Sequence, residues 1–369
     1  MQEFVITATR STREYASRVV KYITQLPCFI EAAAAINGVD LLHTDCFADG
    51  ELEVVVKSSI RGKIVILFTG CSRNEANISV TEAQIELFQS VDALKRSQAE
   101  KIIVFEPFVS CSRSDRTNHR GSVGLWVHFR TLSCLGAQQI VTYQLHSDKS
   151  KSMLDPTRCV IDDIPALNLL KRYLCDVYIR NYETLTRKVR PNWAFCSVDA
   201  GGEKLARGFA NAFGANLVVA HKQRDYSTVN KIESINILSA VPIEGKVLWI
   251  VDDMIDTASS VESLIRALGP LKPAEINIIA VHPILSPPAS RRLQQLAEEG
   301  LLRHIMVTDT VYCPASLPET IPNLEVVSSA KLSADVIGAI VSHSSMEKLL
   351  EVFDAETYLK SEEPRRNKQ

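Results

Sequence analysis

Short apolar runs rich in β-branched residues recur along the chain, each separated from the next by a segment long enough for an amphipathic helix. Runs at 63–68, 102–105, 140–143, 194–198, 217–220, 247–251, 276–281 and 305–307 have the length of buried strands, and a short run at 4–6 precedes a first helix. Helix-length stretches lie at 79–97, 124–135, 166–185, 202–213, 259–268 and 290–299. Antiparallel strands can be joined by a tight turn, whereas parallel neighbours need a crossover of helical length. The alternation therefore predicts βαβ units and an α/β fold with mainly parallel sheets. Unbroken apolar strands such as Lys63-Ile-Val-Ile-Leu-Phe68 fit sheets covered by helices on both faces. Both halves of the 369 residues carry the pattern, so two similar domains are expected, with the polar, turn-rich stretch 147–163 at their boundary. The charged end after Ser361 reads as disordered.

Composition narrows the class of function. Hydrophobic residues make up 46% and charged residues 23%, enough apolar material for folded cores. Lys and Arg number 41 against 43 Asp and Glu, so no global basic field for nucleic acid exists. No apolar run approaches the roughly 18 residues of a membrane span, so neither nucleic acid nor membrane is expected as a partner. The nine cysteines are dispersed and contain no C-x-x-C pair. That spacing argues against a zinc ribbon or a disulfide framework and fits a reducing, cytoplasmic setting. Thr9–Arg13 and Ser17–Lys21 have a transit-peptide flavour, but Glu3 and Glu14 argue for a strand and helix of the folded domain.

The most informative segment is Val247-Leu-Trp-Ile-Val-Asp-Asp-Met-Ile-Asp-Thr-Ala-Ser-Ser260. A buried strand runs into paired carboxylates, then into small hydroxyl residues at a helix start. Open α/β sheets bind ligands at the carboxyl ends of strands, and a helix N-terminus favours phosphate. Asp252 and Asp253 can accept from sugar hydroxyls or hold hydrated Mg2+. The plainer reading is a helix cap by Asp256 or Thr257, but three carboxylates in five residues exceed what a cap needs. Further charged groups follow other strands. Arg113, Asp115, Arg116, His119 and Arg120 form a basic loop after 102–105, where a solvated loop is the alternative. His146 follows 140–143, Asp199-Ala200-Gly201-Gly202 follows 194–198, and Lys222 and Arg224 follow 217–220. Phe47 stands beside Asp49, Gly50 and Glu51.

The Asp252–Ser260 segment resembles the phosphoribosyl-diphosphate (PRPP) binding loop, two acidic residues followed by Asp-Thr-x-Gly-Thr. Phosphoribosyltransferases and ribose-phosphate diphosphokinases share that loop. Phe47–Glu51, Ser59-Ile-Arg-Gly62, Ile85-Glu-Leu-Phe-Gln-Ser-Val-Asp-Ala-Leu-Lys-Arg96, Asp199–Gly202 and Lys222-Gln-Arg224 resemble the second family in the same order along the chain, from Phe4 to about Val341. This resemblance to the ribose-phosphate diphosphokinase (PRPP synthetase) family implies two phosphoribosyltransferase-type domains. These are an N-terminal ATP-side domain at 1–155, a C-terminal domain with the PRPP loop at 156–345, and a helix or tail at 346–369. It implies Mg2+-dependent transfer of a diphosphoryl group from ATP to ribose 5-phosphate, in the service of nucleotide biosynthesis. By that resemblance Phe47, Asp49, Glu51, Arg113 and Asp115 bind ATP, and Asp252, Asp253, Asp256, Thr257, Ala258, Ser259 and Ser260 bind the ribose phosphate. Asp199, Ala200, Gly201 and Gly202 form the pyrophosphate loop, His146 and Asp199 contact Mg2+, and Lys222 and Arg224 are catalytic, followed by a mobile loop at 225–234. It also implies a homo-oligomer, dimers assembling into hexamers, in which the 47–51 hairpin reaches a neighbouring subunit.

Three positions depart from the family pattern: Ser114 replaces Gln, Gln144 replaces Asp, and Ser259 replaces Gly. Ser259 is tolerable at a helix start and strained if the site needs a positive φ. These departures keep open a catalytically weak regulatory paralogue; a phosphoribosyltransferase is disfavoured by the 47–51 element and by two-domain length.

Overall fold

The computed structural model of the chain describes residues 3–26, 39–117, 120–224 and 232–366. These divide into two compact units. The first comprises Met1–Pro165, Thr310–Tyr312 and Ser328–Glu351, and the second Ala166–Asp309, Cys313–Val327 and Val352–Gln369.

In the first unit, strands β1 (Phe4–Ala8), β4 (Ile64–Phe68), β5 (Lys101–Phe105), β6 (Gln139–Tyr143) and β7 (Val160–Ile164) form a parallel sheet in the order β1-β4-β5-β6-β7. A separate antiparallel hairpin, β2 (Leu42–Cys46) and β3 (Leu52–Val56), carries residues 47–51 at its turn. Every residue of β4 is buried, because alternate side chains face opposite layers. On one face Val65, Leu67, Ile102, Val104 and Ile140 meet Leu87, Val91 and Leu94 of the Val80–Arg96 helix and Leu125, Phe129 and Leu132 of the Gly124–Leu135 helix. On the other, Phe68 stacks on Phe105 at 4.7 Å and stands edge-on to Tyr15 of the Arg13–Ile23 helix. Tyr15 and Tyr143 share hydrogen bonds with Ser333 of the Ala330–Val341 helix at 2.7 and 2.6 Å, so these buried hydroxyls are satisfied. The Val80–Arg96 helix starts where the sequence signals it, with Ser79 Oγ accepting the Glu82 amide at 3.1 Å.

In the second unit, β8 (Trp193–Ser197), β9 (Asn216–Arg224), β10 (Ile232–Ser239), β11 (Val247–Ile255), β12 (Glu275–Pro283), β13 (His304–Thr308) and β14 (Leu324–Val327) form one sheet in the order β10-β9-β8-β11-β12-β13-β14. It is parallel except for β10, which runs antiparallel to β9.

Several local expectations need correction. The stretch 147–163 contains most of an edge strand of the first sheet, with Asp163 Oδ1 accepting the Leu145 amide at 3.0 Å. Its carboxylates hide it from a hydropathy reading, but an edge strand tolerates them. The helix expected over 166–185 is interrupted at Arg180, which takes a φ of 68°. Strands β9, β11 and β12 outrun their apolar runs, because backbone pairing with a neighbour continues after side-chain hydropathy falls. Residues 362–366 of the end read as disordered continue a helix, Ala355–Arg366, whose earlier turns are fixed by Leu359 in the core and by Glu356 to Arg190 at 2.6 Å, while 367–369 lie outside the described residues. Among the described residues no helix is long and apolar enough to cross a membrane.

Candidate active site

A parallel sheet puts the carboxyl ends of its strands along one edge, where loops and helix N-termini converge. In the second unit the best-built loop there joins β11 to the Ser259–Leu268 helix. Asp252 and Asp253 lie on β11, with Asp252 beside Ala280 in the register to β12. The Asp253 amide donates to Asp252 Oδ1 at 2.9 Å. Burial, then the charge of Asp253, and more weakly that of Asp199, hold the Asp252 carboxyl well above the usual carboxylate range. Such crowding of like charge is relieved by a cation or by donors such as sugar hydroxyls.

The turn itself resolves the question raised by Ser259. The positive φ of this loop falls on Ala258, at 58°, and not on Ser259, which opens the helix. Left-handed backbone costs a non-glycine residue about 1–2 kcal/mol, so the chain places a small buried Ala at the strained position. Ser259, Ser260 and Val261 occupy the first turn, whose amides have no partner within the helix. Thr257 Oγ1 donates to Ser259 Oγ at 3.4 Å.

The Asp199 loop is similarly compact. Asp199 Oδ1 accepts the Gly202 amide at 3.1 Å just before the Glu203–Phe213 helix. A Cβ at Gly201 would lie 3.2 Å from Asp199 Oδ1, so the carboxylate would have to shift by a few tenths of an ångström to admit it. Ala200 is exposed at the apex. Lys222 and Arg224 lie on β9 itself, opposite Ile235 and Ile232 of β10, rather than in a loop after it. Residues 225–231 of the expected mobile loop lie outside the described residues, and 232–234 belong to β10.

In the first unit, Phe47 sits at the hairpin turn with 52% of its surface exposed. Asp49 and Glu51 are exposed beside it, and Asp49 Oδ1 accepts the Glu51 amide at 3.1 Å. Arg113, Arg116 and Arg120 are exposed and Asp115 is half-buried on the loop after β5; His119 lies outside the described residues. His146 is exposed after β6, following Gln144 at a φ of 44°.

Among the described residues no three or more His, Cys, Asp or Glu side chains converge as a metal cage. Mg2+ seldom uses one: it keeps water and binds through one or two carboxylates plus substrate phosphates. Asp199, whose charge is among those felt by Asp252, offers the hard carboxylate oxygen such an ion takes.

The family comparisons follow the same division. Residues 4–136 match the N-terminal domain of ribose phosphate pyrophosphokinase, and residues 180–298 match the phosphoribosyl transferase domain. Ribose-phosphate pyrophosphokinase 1 of Streptococcus pneumoniae is 30% identical over 352 residues, covering 95% of this chain and 96% of its own length. The chain belongs to the ribose-phosphate pyrophosphokinase family. The enzyme of that name from Mycobacterium leprae is 31% identical over 84% of this chain and 86% of its own. Among solved structures, phosphoribosylpyrophosphate synthetase from Mycobacterium smegmatis superposes with a TM-score of 0.76 at 25% identity, covering 93% of this chain and all of that one.

One supporting residue of this family member escapes a reading of the sequence. Arg292, on the Ala289–Glu298 helix, donates to the Thr257 carbonyl at 2.8 Å and pairs with Glu262 at 3.2 Å, locking the turn that Ala258 makes. In the sequence it is one arginine among several on a polar helix face. Ser114, singled out in the sequence, accepts the Gly124 amide at 2.9 Å and so ties its loop to a helix start.

Proposed function

We propose that this ribose-phosphate pyrophosphokinase family member transfers the β,γ-diphosphoryl group of ATP to the 1-hydroxyl of ribose 5-phosphate. The hydroxyl oxygen attacks the β-phosphorus, the bond to the α–β bridging oxygen breaks, and PRPP, AMP and the hydroxyl proton are released. The observation that carries the reading is the Asp252–Ser260 loop. Its left-handed turn at Ala258 presents helix-start amides beside two crowded carboxylates, a match for a phosphate and for sugar hydroxyls on one ligand.

Each unit has its own task. In the first, Phe47, Asp49, Glu51, Arg113 and Asp115 receive the nucleotide, the ring against the adenine and the guanidinium against the phosphates. In the second, Asp252, Asp253, Asp256, Thr257, Ala258, Ser259 and Ser260 hold ribose 5-phosphate, and Asp199 to Gly202 receive the departing diphosphate in its new bond. Lys222 and Arg224 stabilise the charge that spreads over the transferred group. His146 and Asp199 are the residues that would hold Mg2+, which when bound neutralises phosphate charge. Phosphoryl transfer relies on positioning and electrostatics rather than on a strong base. The same reading carries a homo-oligomer, dimers assembling into hexamers, which sedimentation tests directly.

The deciding experiment incubates the purified chain with ATP, Mg2+ and ribose 5-phosphate and measures AMP and PRPP. Ribose-dependent AMP formation supports the reading. Absence of both products refutes it in favour of a regulatory role, and base-dependent pyrophosphate release from PRPP identifies a phosphoribosyltransferase instead.

A further inference from the structure

Beneath the Arg113 loop lies a carboxylate with no part in the chemistry above. Glu106 directly follows β5 and is fully enclosed, with 0% of its surface exposed. Its Oε1 accepts the Ser110 amide at 3.0 Å, and its Oε2 meets His128 Nε2 at 2.9 Å. With the ring proton on Nε2, the imidazole donates to this carboxylate oxygen. His128 is itself buried, on the Gly124–Leu135 helix. Cys71 closes another side of the carboxylate; burial and the Glu106 charge push its thiol well above its ordinary value. Enclosing an ionisable group this fully is costly unless both oxygens are used. Here one oxygen holds the loop and the other holds the helix.

The rest of the loop is tied to that same helix. The Gly124 amide donates to Ser114 Oγ at 2.9 Å and the Leu125 amide to the Ser114 carbonyl at 3.1 Å. Gln84 donates to Ser110 Oγ at 2.9 Å. Cys111 takes a left-handed φ of 61°, and a Cβ added at Gly124 would lie 3.1 Å from Ser114 Oγ and 3.3 Å from the Cys111 Cβ. Residues 110–114 are thus pinned at one end by Glu106 and by Gln84 of the Val80–Arg96 helix and at the other by the start of the Gly124–Leu135 helix, and Arg113 is the exposed cation on the pinned arc.

We propose that Glu106 is a positioning residue: through Ser110 and His128 it fixes the arc that presents Arg113 to the polyphosphate of the nucleotide. The proposal rests on the nucleotide-binding role given to Arg113 above. A side chain pre-set this way loses less freedom on binding, and a misplacement of about 1 Å in such a clamp can cost on the order of a hundredfold.

The test uses the full chain and three variants. Glu106→Leu, which fills similar space and accepts from neither Ser110 nor His128, should raise KM for ATP by about tenfold while KM for ribose 5-phosphate stays near wild type. His128→Phe, which leaves Oε2 without a donor, should raise KM for ATP likewise and lower the unfolding midpoint, and His128→Gln, whose amide N–H can reach Glu106, should restore both. An unchanged KM for ATP in Glu106→Leu, or a parallel change in both KM values, overturns the proposal. Should Glu106→Leu fail to fold, the two His128 variants decide alone, and equal KM values for ATP in both would overturn it. Should the wild-type chain form no AMP, the transfer reading fails separately. ATP affinity measured by calorimetry then decides: weakening of about tenfold in Glu106→Leu supports the clamp and unchanged affinity refutes it.

Discussion

Lys171 offers a sharp test of the physical account, because its cost can be worked from its surroundings. It lies on the Leu167–Tyr173 helix, is 8% exposed, and points its ammonium over the Phe209 ring at 5.0 Å, with Asn168 Oδ1 at 3.3 Å. Burial lowers its pKa from 10.5 to about 8. At about 1.36 kcal/mol per pKa unit, that shift is a penalty of about 3 kcal/mol on the charged form at neutral pH. Substituting Lys171→Met keeps the length and apolar stem but removes the charge. It also removes the ring and amide contacts, together worth about 1 kcal/mol, so a net stabilisation of about 2 kcal/mol is expected at pH 7. The sign with pH follows from proton counting. Below about pH 8 the lysine is charged in both states and the folded protein bears the full penalty. Between about 8 and 10.5 the unfolded chain binds more protons, so wild-type stability climbs with pH. Above that window the penalty is gone. Urea titrations of wild type and Lys171→Met at pH 7 and pH 10, with unchanged m-values, measure the effect. A Met variant no more stable at pH 7, or an advantage that does not shrink by pH 10, would refute the reasoning.

Other sites give equally direct expectations. Ala258→Gly should remove a left-handed penalty of about 1–2 kcal/mol at a backbone-entropy cost of about 0.5–1, a net gain of at most about 1.5 kcal/mol in thermal unfolding, with KM for ribose 5-phosphate unchanged. Asp252→Asn should cut turnover by about a hundredfold or more yet stabilise the fold at neutral pH. Because the folded-state pKa of Asp252 is raised, the folded protein binds more protons just below it. The stability gain should therefore close as pH falls through that value toward the ordinary carboxylate range, as seen in unfolding curves across pH. Arg292→Ala, by freeing the Thr257 carbonyl, should raise KM for ribose 5-phosphate about tenfold and leave KM for ATP alone in steady-state kinetics. Lys222→Ala should lower turnover by orders of magnitude with little change in circular dichroism; near-normal turnover would remove it from the mechanism.

Much was legible in the linear chain because hydrophobic periodicity is a local property. Two α/β halves, the parallel sheets and the helix beginning after Ser79 follow from residue spacing within short windows. The Asp252–Ser260 loop was legible for the same reason: its carboxylates, hydroxyls and flanking strand are consecutive. What spacing could not provide was pairing between distant segments. Val160–Ile164 became a strand because β6 offered it an edge, and β11 ran on to Ile255 because β12 accompanied it. The left-handed φ fell on Ala258 rather than Ser259, a choice made by where the helix begins and held by Arg292 from a helix beyond the next strand. Glu106 and His128 are ordinary polar residues in the sequence, and only their enclosure against one another reveals a clamp. The sequence determined which chemistry is present and which strands exist. The tertiary structure decided which backbone is strained, which carboxylate is crowded and which loop is held, because each depends on contacts between residues far apart in the chain.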